Sequence, residues 1–244
     1  MGNIEELFLK LKNSENSEAI NDFLIELGNN PQEEYLSYLD YFIKECQPSI
    51  IENIKINLIY VLGQIGKNKK LTGRYIDYLH DEYFKSDRWV RNEILQALDF
   101  IAIHKTLPEK IFKTIEHGLT DEYLPIKMNA LSILLHFNSL PNSVMNKLIG
   151  ILSSSESKLL DSLSRIFNKC KTNDIQLFEI INQDNLYMNM DKQSIRRLFI
   201  VYFKSVFDLE SFRKLIINSG WSTKHKEMFL KELYTFEKIL LKNL

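Results

Sequence analysis

Five histidines, two cysteines and several paired carboxylates are the side chains of this 244-residue chain that could carry out catalysis or bind a metal. The histidines are His80, His104, His117, His136 and His225. None stands in an HExxH pattern, and none pairs with cysteine at zinc-ligand spacing. His80-Asp81-Glu82 has no downstream cysteine pair to complete a zinc site with a water-activating acid. Cys46 and Cys170 are far apart and outside any CxxC, which excludes a disulfide framework and a zinc ribbon and suits a reducing compartment. No GxxxxGK[ST], GxGxxG or GxSxG occurs, so neither a phosphate cradle nor a nucleophile elbow is encoded. The acid pairs Glu5-Glu6, Glu33-Glu34 and Asp121-Glu122 fall at expected helix starts, where carboxylates face the positive end of the helix dipole. One constellation remains. Trp89 and Glu93 are four residues apart, so on a helix they share one face, an aromatic plane beside an acid.

Those residues must be positioned by helices. Apolar side chains recur at three- and four-residue spacing almost throughout, and Pro, Asn, Ser and Asp interrupt them every 12 to 18 residues. The spacing predicts helices over 4–12, 17–27, 31–45, 49–66, 71–85, 87–104, 108–118, 121–138, 141–153, 155–170, 173–183, 191–206, 208–219 and 222–243. Pro31, Pro108 and Pro141 suit first-turn positions, Asp87, Asp121, Asp191 and Asp208 suit N-caps, and Gly28 and Gly118 suit helix exits. Apolar residues make up 45% of the chain and charged residues 26%, enough for a continuous core under a water-facing surface. Eight glycines and five prolines are too few for an all-β or Rossmann-like chain of this length. No apolar block has signal-peptide length, and the run Leu198–Phe203 is too short to span a bilayer. The expectation is an all-α, cytoplasmic protein with no membrane association.

The second helix of each expected pair repeats. Ile54-Lys55-x-x-Leu58-x-x-x-Leu62 matches Val90-Arg91-x-x-Ile94-x-x-x-Leu98 and then Ile126-Lys127-x-x-Ala130-x-x-x-Leu134, in steps of 36 residues. A shorter step reaches Leu159-Leu160-x-x-Leu163-x-x-x-Phe167, and 36 more reach Ile195-Arg196-x-x-Phe199-x-x-x-Phe203. Asp87-Arg88-Trp89-Val90-Arg91 with Ile94 and Leu98, and Ile54-Lys55 with Leu62-Gly63-Gln64-Ile65, resemble the second helix of a HEAT-like (armadillo-type) repeat. The resemblance implies an α-solenoid of about six to seven antiparallel helix pairs. It also implies a single domain over 1–244, with the clearest repeats at 31–206 and atypical capping helices at 1–30 and 207–244. Each pair buries its apolar stripe only against its neighbours. The cations Lys55, Arg91, Lys127 and Arg196 are expected to reach an acid or a helix carbonyl of the adjoining repeat.

In HEAT-like arrays the second helices line the concave face. Three residues after each repeat's apolar start stand Asn57, Glu93, Asn129, Ser162 and Leu198; six after stand Tyr60, Gln96, Ser132, Arg165, Val201 and Lys231. Helical spacing puts both rows on one stripe. With Trp89 and Lys169, the polar members Asn57, Tyr60, Glu93, Gln96, Asn129, Ser132 and Arg165 are the expected binding surface of a non-catalytic protein- or peptide-binding scaffold without cofactor or metal. Trp89 with Glu93 is also similar to the active-site pair of HEAT-like alkylpurine DNA glycosylases. There an aromatic supports the damaged base and an aspartate the cationic sugar; here the acid is the longer Glu, and no second Trp lies on the adjacent second helices. Charge is uneven: residues 1–139 hold 15 Lys+Arg against 21 Asp+Glu, and residues 140–244 hold 16 against 11. The basic half, including Arg165, Lys169, Lys171, Arg196, Arg197, Lys204, Arg213 and Lys214, makes no clean stripe, so at most weak, non-specific nucleic-acid binding is expected.

Overall fold

The protein is described by a computed structural model that covers residues 2–152, 157–170, 173–202 and 208–242. Phe203, Lys204, the end of the helix expected over 191–206, Lys171, residue 153 and residues 155–156 lie outside the described residues. Among the described residues the chain is all helical. The helices are α1 (Gly2–Leu11), α2 (Ser17–Asn29), α3 (Leu36–Glu45), α4 (Pro48–Asn68), α5 (Gly73–Tyr83), α6 (Arg88–Ala102), α7 (Ile111–Thr120) and α8 (Leu124–Leu134). There follow α9 (Asn142–Ile151), α10 (Ser157–Cys170), α11 (Asp174–Asn182), the single turn α12 (Leu186–Asn189), α13 (Lys192–Tyr202), α14 (Leu209–Asn218) and α15 (Thr223–Lys242). Short 3-10 turns occupy Glu33–Tyr35 and Gln183–Asn185. No helix among the described residues is long and apolar enough to cross a membrane.

Local chemistry sets the helix starts. Asp87 accepts the Trp89 and Val90 amides at 2.9 and 3.0 Å, Asp208 that of Ser211 at 2.8 Å, and Asp191 that of Ser194 at 2.7 Å, each satisfying an otherwise orphaned N–H. Asp121 accepts from Tyr123 at 2.8 Å, making the turn just ahead of α8. The prolines behave differently from the expectation. Pro48 and Pro125 occupy first-turn positions, whereas Pro31 precedes the 3-10 turn, Pro108 lies before α7 and Pro141 is the N-cap residue of α9. Gly28 and Gly118 do not end helices either. Both are buried inside α2 and α7, and no glycine among the described residues has positive φ. Gly28 is a contact glycine: a Cβ there would lie 2.2 Å from the Tyr60 ring.

Two compact units share the helices, residues 1–114 and 115–244. In the first, α4 packs between α2 and α6, with α3 against α4 and α5 against α6. Small residues bring α4 and α6 together: a Cβ on Gly63 would lie 3.0 Å from the Ala97 Cα, and one on Gly66 2.5 Å from Ile101. Ile54, Leu58, Leu62, Ile94 and Leu98, the periodic apolar rows, are fully buried. In the second unit α10 packs between α8 and α13, α13 packs on α15, and α11 contacts both α9 and α14. Its core holds Ile126, Ala130, Leu134, Leu163, Phe167, Ile195, Phe199 and Phe229.

Two members of the periodic cation row act between helices, as expected. Lys55 is buried and bridges Glu52 at 2.5 Å and Glu82 of α5 at 3.0 Å. Arg196 pairs with Glu232 of α15, a buried carboxylate that Lys192 also approaches at 3.7 Å.

Candidate binding face

The first unit presents the solvent-facing side of α4 and α6. The Asp87 cap fixes where α6 begins and so where Trp89 projects; Trp89 is 59% exposed, unusual for so large an apolar side chain. One turn on, Glu93 is half-buried and has no hydrogen-bond or ion-pair partner among the described residues. Burial pushes its carboxyl above the usual range, because desolvation penalises the charged form with nothing to offset it. Gln96 continues the face and is exposed. On α4, Asn57 and Tyr60 are half-buried and partly committed to the α2–α4 joint. Asn57 Nδ2 donates to Asn21 Oδ1 at 2.7 Å, Asn21 Nδ2 donates to the Asn53 carbonyl at 3.1 Å, and the Tyr60 ring lies over Gly28. Ile56 of α4, one turn before Tyr60, is exposed on this side of the helix, and Ile25 of α2 is exposed as well. The face therefore mixes apolar anchors with amides and one uncompensated acid.

In the second unit the expected stripe is shorter than its sequence pattern. Asn129, Ser132 and Ser162 are half-buried and Arg165 is exposed. Leu198 and Val201, which the pattern places on the stripe, are buried. The α13 helix instead turns Lys192, Gln193, Arg196 and Ile200 to solvent, so its outward face falls in a different register of the repeat from the one that α4 and α6 expose. Lys169 is not a free cation: its Nζ donates to the Leu135 carbonyl, at the end of α8. Lys105 does the same to the Leu71 carbonyl at 3.0 Å, Arg197 to that of Leu152 at 2.9 Å and Lys226 to that of Ile217 at 2.8 Å. Lys169, Arg197 and Lys226 satisfy carbonyls that helix ends leave without partners, and Lys105 satisfies one in the loop between α4 and α5.

His80 and His225 have structural partners. His80 Nδ1 lies 2.7 Å from Thr114 Oγ1, and burial, with the Lys110 charge, lowers its pKa and keeps the ring neutral. His225 Nδ1 lies 2.8 Å from Ser222 Oγ. Burial pushes the thiols of Cys46 and Cys170 up, away from the reactive thiolate. No group of three or more metal-ligating side chains occurs among the described residues. One pair of residues is not brought together by the sequence pattern. Lys127 and Lys147 border a hollow between α8, α9 and α10. Lys127 belongs to the repeat row, for which pairing is the expectation, while Lys147 carries no signal.

No protein-family model and no curated protein matches this chain. Two crystal structures of engineered proteins from the Northeast Structural Genomics Consortium are similar to it in fold. One aligns over 97% of this chain and 98% of its own, with a TM-score of 0.55 and 16% identity. The other aligns over 96% of this chain and 68% of its own, with a TM-score of 0.57 and 15% identity. At such identities the likeness concerns the all-helical fold alone.

Proposed function

We propose that this chain is a non-catalytic, HEAT-like scaffold that holds a protein or peptide segment against the solvent-facing side of α4 and α6. The observation that carries the reading is the pairing of exposed Trp89 with unpartnered, half-buried Glu93 on one face of a tightly packed helix. Tryptophan is among the residues enriched at binding hot spots, and an acid beside it selects a cation through charge and through the ring face. The first unit holds 14 Lys+Arg against 18 Asp+Glu, so its field also attracts a basic segment. The favoured partner is therefore a polypeptide segment with exposed Lys or Arg. The repeat reading draws support from hydrogen bonds that span one period: Asn21 to Asn57, and Arg196 to Glu232, are each 36 residues apart. A cytoplasmic setting fits a chain with two half-buried, unpaired cysteines.

Trp89 supplies its own assay. The only other tryptophan, Trp221, is buried. Iodide should quench Trp89 emission in the free protein, and a bound basic peptide should protect it. Across a set of labelled peptides of graded net charge, the basic ones should bind. Trp89→Ala and Glu93→Gln should each weaken binding about tenfold, the scale of a hot-spot contact. Equal binding of acidic and basic peptides, or indifference to both substitutions, would refute the proposal.

The nucleic-acid alternative, including a glycosylase-like enzyme, has less support. Lys169 and Arg197 spend their donors on helix carbonyls and Arg196 is paired, so a phosphate-tracking row of free cations does not form from them.

A further inference from the structure

We propose that the hollow between α8, α9 and α10 in the second unit binds an amphipathic anion, a carboxylate or phosphate head on an apolar body. The hollow measures about 840 Å³, within the range of small-ligand sites. Leu119, Ile151 and Leu159 give it an apolar lining, and Lys127 of α8 and Lys147 of α9 reach it from two helices.

The lysines carry the inference. Lys127 stands two 36-residue periods after Lys55, at the same place in its repeat. Lys55 is buried and neutralised by Glu52 and Glu82. Lys127 is half-buried and has no ion pair among the described residues, and neither does Lys147. Glu116 of α7 is engaged by Ser143, itself part of the lining, whose Oγ donates to it at 2.5 Å. Lys127 and Lys147 place two positive charges at the edge of an apolar cavity with no acid paired to either among the described residues, so an anion seated there gains attraction from both. The lining decides what the anion is attached to. A bare phosphate would leave the leucine and isoleucine walls wet, and a nucleic-acid strand needs an open basic track that a hollow of this size does not provide. An alkyl or aromatic body fills the walls while the head meets the lysines.

The test is displacement of the fluorescent anion 8-anilinonaphthalene-1-sulfonate from the full chain by four competitors: dodecanoate, dodecyl phosphate, dodecyltrimethylammonium and inorganic phosphate. The first two should displace the probe, and their relative strength identifies the head group. Lys127→Gln and Lys147→Gln should each weaken the better competitor about tenfold, the scale of one charge-assisted contact, and Lys127→Arg should restore most of it. Lys147 is exposed, so its variant is expected to fold even if Lys127→Gln does not; circular dichroism checks both. Equal displacement by the ammonium detergent would show unspecific apolar binding and overturn the proposal. So would competition by inorganic phosphate as strong as by dodecyl phosphate, or unchanged affinity in both glutamine variants.

Discussion

Replacing Glu82 by Gln tests the electrostatic joint of the first unit. Lys55 is 3% exposed and its ammonium lies 3.0 Å from Glu82, which is 16% exposed, while its other partner Glu52 is largely in solvent. At that separation the attraction is about 5 kcal/mol for an effective dielectric near 20. Desolvation of the two charges cancels several kcal/mol of it. The substituted amide would keep an acceptor oxygen but not the charge, leaving a buried ammonium facing one exposed acid. The net loss should be about 2 kcal/mol, within the range for hydrogen bonds to charged groups. For a chain of this length that lowers the thermal midpoint by about 4–8 °C. The loss should depend on pH. Burial alone would push the Glu82 carboxyl up, but hydrogen bonds from Lys55 and Lys85 outweigh it and hold the group below its ordinary 4.5. A depressed carboxyl contributes stability that is present above its unfolded pKa and lost as pH falls through the folded one. The difference between wild type and Glu82→Gln should therefore be full at pH 7 and shrink below about pH 4. Lys55→Met, an apolar replacement of similar length, should cost less than Glu82→Gln because it leaves no buried ammonium behind. Urea melts followed by far-UV circular dichroism measure all three proteins. A Glu82→Gln loss under about 0.5 kcal/mol at pH 7, or one that persists undiminished at pH 3, would refute the reasoning.

Other outcomes follow from the same contacts. Leu98→Ala, at a fully buried position of α6, should cost about 2–5 kcal/mol in a urea melt through lost burial and a cavity, and a near-zero change would mean the row does not form the core. Glu93→Gln should raise the denaturant midpoint slightly at pH 7, because the raised carboxyl makes the ionised native state the costly one, and the gain should vanish below about pH 4, where Glu93 is protonated in both states. A destabilised Glu93→Gln would reveal a partner for the carboxylate. Duplex and single-stranded oligonucleotides should bind weakly by fluorescence anisotropy and lose that binding by about 150 mM salt. Tight, salt-resistant binding that falls on Arg165→Ala would restore the nucleic-acid reading.

Local and periodic signals in the sequence were legible; contacts between separate helices were legible only where both partners belonged to the period. Asp87 could be recognised as a cap because its acceptor needs nothing but the two amides that follow it. Leu58, Leu62, Ile94 and Leu98 could be recognised as core because burial on both flanks of a second helix recurs every 36 residues. Gly28 could not be placed the same way. A glycine that ends a helix and one that admits a neighbour are identical locally, and the difference lies with Tyr60, 32 residues away. Leu198 and Val201 fail for a related reason, since the pattern assumes that every second helix exposes the same register and α13 exposes another. The lysines show the limit most sharply. Lys169 reads as a ligand-facing cation, yet it closes a helix end, while Lys127 reads as a structural link and stands unneutralised beside a hollow. What separates them is the presence or absence of an acceptor on another helix. A repeat preserves the position of a side chain while its partner is free to drift. Where a sequence row keeps its cation but the residue that answers it is gone, as at Lys127, the side chain is left with charge and no partner, and that is where a ligand is best sought.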